Sequence, residues 1–269
     1  ILPDVVITAT RIHEDDFEVS QPVSIITEKD GGSIISKMLP DTLREATGLS
    51  VQKTTYGHGA PILRGFIGRD NLILIDGVRL NNSTFRSGPV QYLNTVDILN
   101  VEKIEVVRGP GSSLYGSDAL GGVINIITKN PYYSLPLNML VNTRLSTADK
   151  GVIGKLEIGG KLNELALLLN GAYKNFGNMD AGGDFGILNP TGFNEHDVNG
   201  KISYNLSESQ KIGVDYQYTR QNDVARYEKY TGVPRLFSGT GGYDKFLYIR
   251  QLRLLGLIHF ESDKLHSLI

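Results

Sequence analysis

The second half of the chain constrains the fold most, because it is written almost entirely in a two-residue period. Leu137, Met139, Val141, Thr143 and Leu145 alternate with Asn138, Asn142 and Arg144; Leu165, Leu167, Leu169 and Tyr173 alternate with Asn170 and Lys174. Ile212, Val214, Tyr216 and Tyr218 alternate with Lys211, Asp215 and Gln217. Successive side chains of a strand point to opposite faces, so each run reads as a strand with one apolar and one polar face. Six such segments are expected, at roughly 137–145, 152–159, 165–175, 198–206, 211–219 and 246–260. The connections alternate as well. "STADKG", "GKLNE" and "SESQ" are short, whereas Phe176 to Asp197 and Arg220 to Lys245 are long. Unstructured loops beyond about 15 residues are uncommon in compact soluble domains. Short turns on one side, long loops on the other and strands of about ten residues are the pattern of outer-membrane β-barrels. The competing architecture is a soluble β-sandwich or a lipocalin-like barrel.

The first half has a different texture. "PVSIIT" reads as a strand; in "DTLREATG" Asp41 is placed to cap a short helix and Gly48 to end it. Short apolar runs follow at Leu49 to Val51, Ile62 to Leu63 and Leu72 to Ile75, with Asp76-Gly77 as a hairpin turn before Val78 to Leu80. "VEKIEVV" and "GGVINIIT" complete an α/β unit of about four or five strands.

The glycine-rich stretch "RGPGSSLYGSDALGGVINIITK", residues 108–129, fits no catalytic or phosphate-binding motif. A dinucleotide fingerprint fails because Leu114 stands where the third glycine belongs, and a phosphate loop fails because this stretch has no lysine before Lys129. A nucleophile elbow fails because Tyr115 replaces the flanking glycine of both Ser113 and Ser117. His13, His58, His196, His259 and His266 have no ligand spacing, and the chain has no cysteine, so neither a catalytic metal site nor an enzyme is expected. A net charge of −2 gives no basic excess for nucleic acid. The longest apolar run, Leu165 to Leu169, is far short of the ~20 residues of a membrane helix.

Four separated motifs, "DVVITATR", "LREATGLSVQ", "ILRGFIGRDNLILIDGVRLNN" and "VEKIEVVRGPGSSLYGSDALGGVINIITK", together resemble in order and spacing the plug of TonB-dependent outer-membrane transporters. The resemblance implies an outer-membrane β-barrel with an N-terminal α/β plug domain, divided here into a TonB-box-like segment at 1–15, a plug at 16–131 and barrel strands at 132–269. Those strands would be the first six or seven of about 22. Even the smallest such barrels need about eight strands, so the sequence is expected to be the N-terminal part of a longer chain.

The resemblance also assigns roles. Asp4, Val5, Val6, Ile7, Thr8 and Ala9 match the TonB box, an extended segment to which a partner adds a strand. TonB, driven indirectly by ExbB and ExbD, would pull there. "TTYGHGAP" and "NNSTFRSGPVQYLN" are expected as apical plug loops, with Tyr56, His58, Phe85, Arg86 and Tyr92 as ligand contacts. An imidazole such as His58 suits haem iron, and Arg86 suits the negative charge of a ferric siderophore; cobalamin is a third cargo. Arg64 and Arg108 are expected to lock the plug by pairing with acidic groups of the barrel wall. Calcium is considered at Asp180 and Asp184, although their spacing fits no standard loop. No intrinsic cofactor is expected. The remaining partners implied are outer-membrane lipid and lipopolysaccharide, and a small metal-chelate ligand or a protein carrying it. The function implied is TonB-dependent uptake of a scarce metal-containing nutrient across the bacterial outer membrane. The alternative is a plug-bearing binding or signalling module without transport.

Overall fold

The computed structural model describes residues 6–7, 14–15, 21–27, 37–55, 57–81, 92–131, 136–180, 186–207, 210–225 and 246–259. They fall into two units, residues 1–129 and 130–269.

In the first unit β1 (Val6–Ile7) pairs antiparallel with β2 (Glu14–Asp15) as a separate ribbon. After β3 (Val23–Thr27) come a helical turn α1 (Leu39–Thr42), the hairpin β4 (Leu49–Thr55) and β5 (His58–Leu63), and the short β6 (Phe66–Ile67). Then follow β7 (Asn71–Ile75), β8 (Val78–Arg79), β9 (Val101–Arg108), α2 (Ser112–Tyr115) and β10 (Gly122–Thr128). The main sheet has the order β3-β9-β10-β7-β8, with β7 and β10 parallel, and β4-β5-β6 form a second sheet.

Strand β7 is buried at every position because both faces of the sheet are covered. Ile73, Ile75, Ile104, Val106, Ile124 and Ile126 share one core with Leu39 and Leu43 around α1 and Leu49 and Leu63 of the second sheet. On the other face Leu72, Leu74, Val107 and Val123 pack with Tyr115 and Ala119. The Asp76-Gly77 turn has φ of +48° and +77°, the left-handed pair that a two-residue hairpin requires.

Two local expectations are corrected. Asp41 does not cap the helix: Met38 occupies the cap position, Pro40 sits in the first turn, and Asp41 bonds Lys53 at 2.7 Å. Residues 54–61 are not an open loop, because Thr54 and Thr55 end β4 and His58 to Pro61 begin β5, with Thr55 paired to His58.

Among the described residues, the second unit holds a six-stranded antiparallel meander, β11 (Asn138–Ser146), β12 (Gly151–Leu162), β13 (Leu165–Phe176), β16 (Phe193–Ser207), β17 (Gln210–Ala225) and β18 (Phe246–His259). The ribbon β14 (Met179–Asp180) and β15 (Ile187–Leu188) decorates the long connection after β13. Strand β16 starts at Phe193, five residues earlier than the hydropathy pattern suggests, and β17 runs on to Ala225. In "NEHD" and "RQND" both faces are polar, so the alternation there is invisible to hydropathy.

Candidate functional site

Within the first unit, Arg64 and Arg108 lie at one end of the described strands and Tyr92 at another. At one end the turn between β5 and β6 carries Arg64 and Gly65, with φ of +53° and +85°. Arg64 is exposed on that turn rather than set within a strand, because a two-residue hairpin needs both central residues left-handed. A Cβ built on Gly109, next to Arg108, would lie 3.6 Å from Arg64 Nη1, so the two arginines share this end. Arg108 ends β9 and donates to backbone carbonyls of the same unit: Nη1 to Thr47 at 2.5 Å, Nη2 to Val23 at 3.3 Å and Nε to Pro22 at 3.4 Å. The guanidinium therefore ties the start of β3, where the N-terminal segment joins the sheet, to the turn before β4.

At the other end the turn between β4 and β5 meets the segment that contains Tyr92. The Asn94 amide donates to the Gly57 carbonyl, and Tyr92 is half-buried in a short helical turn over Tyr92–Thr95. The structure thus brings Gly57 and the end of the "NNSTFRSGPVQYLN" stretch, at Asn94, together. His58 lies on β5 opposite Thr55. Tyr56, Phe85, Arg86, Asp4, Val5, Thr8, Ala9 and Asp184 lie outside the described residues. Val6 and Ile7 form β1, and Asp180 is exposed at the end of β14.

The glycines of residues 108–129 serve close packing. Gly122 has φ of +154°, and a Cβ there would run into the Val107 carbonyl; one at Gly121 would collide with the Asn71 side chain. Between them and the hairpin, Arg79 donates to Asp118 at 2.8 Å and to the carbonyls of Tyr115 and Ser117 at 2.6 and 3.1 Å.

In the second unit the two faces of the sheet are inverted relative to a soluble protein. The apolar side chains are the exposed ones: Leu156, Leu169, Val198, Ile202, Val214 and Tyr216 all stand open on one face. The polar side chains of the same strands are buried on the other. Lys174, only 1% exposed, reaches Glu195 at 2.6 Å and Asp197 at 3.0 Å. Gln221 donates to Glu195, Thr219 to Asp197 at 2.7 Å, and Asn199 to Asn170 at 2.9 Å. Lys155 pairs with Glu157 at 2.5 Å. Charges held out of water are costly unless paired and hydrogen-bonded, and here each acid answers a cation or an amide. The hydropathy reading missed this network because it began the fourth strand at Val198, just after Glu195 and Asp197. Their two-residue spacing, followed by Asn199, was the available signal.

Residues 15–123 match the family model of the TonB-dependent Receptor Plug Domain. That match takes in most of the first unit, and the six-stranded sheet of the second unit follows it in the chain. The vitamin B12 transporter BtuB of Vibrio vulnificus is 27% identical over 266 residues, covering 98% of this chain and 40% of that protein. BtuB of Vibrio cholerae is 40% identical over 127 residues, 46% of this chain and 20% of that protein. Among solved structures, the ferripyoverdine receptor of the outer membrane of Pseudomonas aeruginosa aligns with a TM-score of 0.65 at 19% identity, covering 81% of this chain and 28% of that one. The ferric enterobactin receptor PfeA aligns with a TM-score of 0.58 at 24% identity, covering 74% and 33%. The chain spans two fifths or less of each of these relatives. The fold is similar to that of outer-membrane barrel receptors, with the six described strands forming an unclosed wall. The relatives named are transporters and receptors rather than enzymes.

Proposed function

We propose that this chain works in TonB-dependent uptake of a scarce metal-containing nutrient across the bacterial outer membrane. One observation carries the reading: a plug domain is followed in the same chain by a sheet whose apolar face is the exposed one. Water penalises such a face, whereas the hydrocarbon of a bilayer favours it. The steps are ligand binding, release of the plug and passage, with no covalent chemistry.

TonB would add a strand along Asp4–Ala9. Within that segment β1 is one half of a two-stranded ribbon with β2, so among the described residues it has a single strand partner. Force supplied through ExbB and ExbD would reach the plug sheet at β3, where Arg108 holds Pro22 and Val23. Arg64 and Arg108 are proposed as the groups that resist that release. The ligand would meet Tyr56, His58, Phe85, Arg86 and Tyr92. Cobalamin stands first among cargoes, supported by the names of the relatives that share the plug. A ferric siderophore, favoured by the charge of Arg86, and haem, ligated by His58, are its competitors.

The test is deletion of Asp4–Thr10 in the receptor expressed in cells. Uptake of radiolabelled cyanocobalamin should vanish while binding to the cells persists. Uptake that survives the deletion would overturn the transport mechanism. If the intact receptor binds without uptake, the chain is a binding or signalling module. Titration with haem, using His58→Ala as control, and with a ferric siderophore assigns the cargo if cobalamin does not bind.

A further inference from the structure

The hairpin of β4 and β5 is joined to the short helical turn over Tyr92–Thr95 by a side chain that no sequence motif singles out, Asn94. Its amide donates to the Gly57 carbonyl across 37 positions of the chain, and Asn94 is only 1% exposed. Gly57 is itself buried, in the connection that follows the last paired position of β4, where Thr55 faces His58.

Both partners of this bond stand on fixed ground. Leu93 lies next to Asn94 and Val96 two residues after it, and both sink into the core with Leu39, Leu43, Leu49 and Leu63. Thr95 is fully buried and donates its hydroxyl to the Tyr92 carbonyl at 2.6 Å, while the Val96 amide donates to the Leu93 carbonyl at 3.3 Å, so the turn closes on itself. Asp97 then accepts from the Leu99 amide at 3.1 Å and caps the next helical turn, Ile98–Asn100. On the hairpin side, Gly59 lies so close to α1 that a Cβ added to it would stand 2.6 Å from Pro40 Cβ. Only a residue without a side chain allows that approach. Strand β5 is therefore seated at Gly59, and Asn94 holds Gly57 two residues away.

A buried carbonyl needs a donor, and here the donor comes from a different stretch of chain rather than from the hairpin itself. His58 follows Gly57 directly, and Tyr92 precedes Asn94 by two residues. The one bond thus holds the backbone of one proposed ligand contact against that of another.

We propose that Asn94 is a positioning residue for the transported chelate. In the free receptor it clamps the end of the β4–β5 hairpin to the Tyr92 turn, so that contacts from the two segments stand ready before the ligand arrives. Asn94 is buried and acts through Gly57 without touching the ligand. The inference rests on the reading that the ligand meets His58 and Tyr92. Order present before binding need not be imposed by the ligand, and affinity rises accordingly. If the clamped arrangement drops from nearly all molecules to about one in ten, the apparent dissociation constant rises about tenfold, equivalent to about 1.4 kcal/mol.

Hydrogen exchange of the full receptor in detergent, without ligand, tests the clamp. Asn94→Ala should speed exchange in residues 54–59 and 92–96 and leave β7 and β10 protected. Equal loss of protection across β7 and β10 would mean that Asn94 stabilises the whole unit, and unchanged exchange at 54–59 would mean that it does not hold the hairpin; either result overturns the proposal. Uptake of radiolabelled cyanocobalamin by cells tests the consequence. Asn94→Ala should raise the half-saturating concentration about tenfold at an unchanged maximal rate, because saturating ligand selects the competent arrangement. Asn94→Asp keeps the shape but turns a carboxylate oxygen toward the carbonyl in place of the N–H, and should bind at least as weakly as Asn94→Ala. Wild-type uptake by either variant, or a lower maximal rate at an unchanged half-saturating concentration, would overturn the positioning role. His58→Ala and Tyr92→Ala separate that failure from failure of the reading beneath it. If neither alters the half-saturating concentration, the ligand does not meet this end at all; if both raise it and Asn94→Ala does not, the positioning role alone is wrong.

Discussion

Placing a charge on the exposed apolar face separates a lipid-facing wall from a soluble one, and Ile202→Arg is the substitution best placed to do so. Ile202 is 46% exposed on β16. It stands six residues from His196 and four from Leu206, about 16 Å and 10 Å at ~3.4 Å rise and ~40° tilt, and so near the middle of a ~25 Å band. An arginine at that depth in a bilayer costs about 2–4 kcal/mol, falling to about 0–1 kcal/mol near the interface. In water, a charge at a half-exposed site changes stability by no more than about 0.5 kcal/mol. The full receptor is folded into phosphatidylcholine vesicles and unfolded with guanidinium, with the folded fraction read from gel mobility. Ile202→Arg should lower the midpoint by the equivalent of at least about 2 kcal/mol at constant slope, whereas Asn194→Arg, at the rim, should cost less than about 1 kcal/mol. If both substitutions fall within 0.5 kcal/mol of the wild type, as for any water-facing site, the face is not in lipid and the transport reading loses its support.

Lys174→Met leaves Glu195 and Asp197 buried without their shared cation and should cost about 3–5 kcal/mol in the same assay. The triple variant with Glu195→Gln and Asp197→Asn should recover most of that loss; no recovery would mean that the lysine acts through packing rather than charge. Gly122→Ala forces a Cβ into the Val107 carbonyl at φ of +154° and should destabilise the plug by about 3 kcal/mol or more, read as increased proteolysis of residues 108–128 in the folded receptor. Asp76 accepts from the Thr128 amide at 2.9 Å and its hydroxyl at 2.6 Å, so Asp76→Ala should cost about 1.5–3 kcal/mol and Asp76→Asn clearly less. A smaller loss for Ala than for Asn would show that the turn does not need these bonds.

The sequence by itself determined the class of fold, because both of its signals are local. Alternation with a period of two places Leu169 and Val198 on one face and Asn170 and Asn199 on the other, whatever surrounds them. Likewise Asp76-Gly77 and Gly121-Gly122 demand backbone conformations and close approaches that few residue types supply. Which face is the exposed one is not local, since alternation reads the same for a soluble sandwich and a membrane wall. Only the tertiary structure decided it, by burying Lys174, Glu195 and Asp197 together and leaving the leucines and valines open. Register decided the rest. Lys174, Glu195 and Gln221 are far apart in the chain, and hydrogen-bond pairing of the strands alone brings them side by side. The same holds for Arg108, which the chain places at the end of an apolar strand and the sheet places against the carbonyls of Pro22, Val23 and Thr47. A guanidinium chooses its partners by geometry across the sheet, and that geometry exists only once the strands have paired.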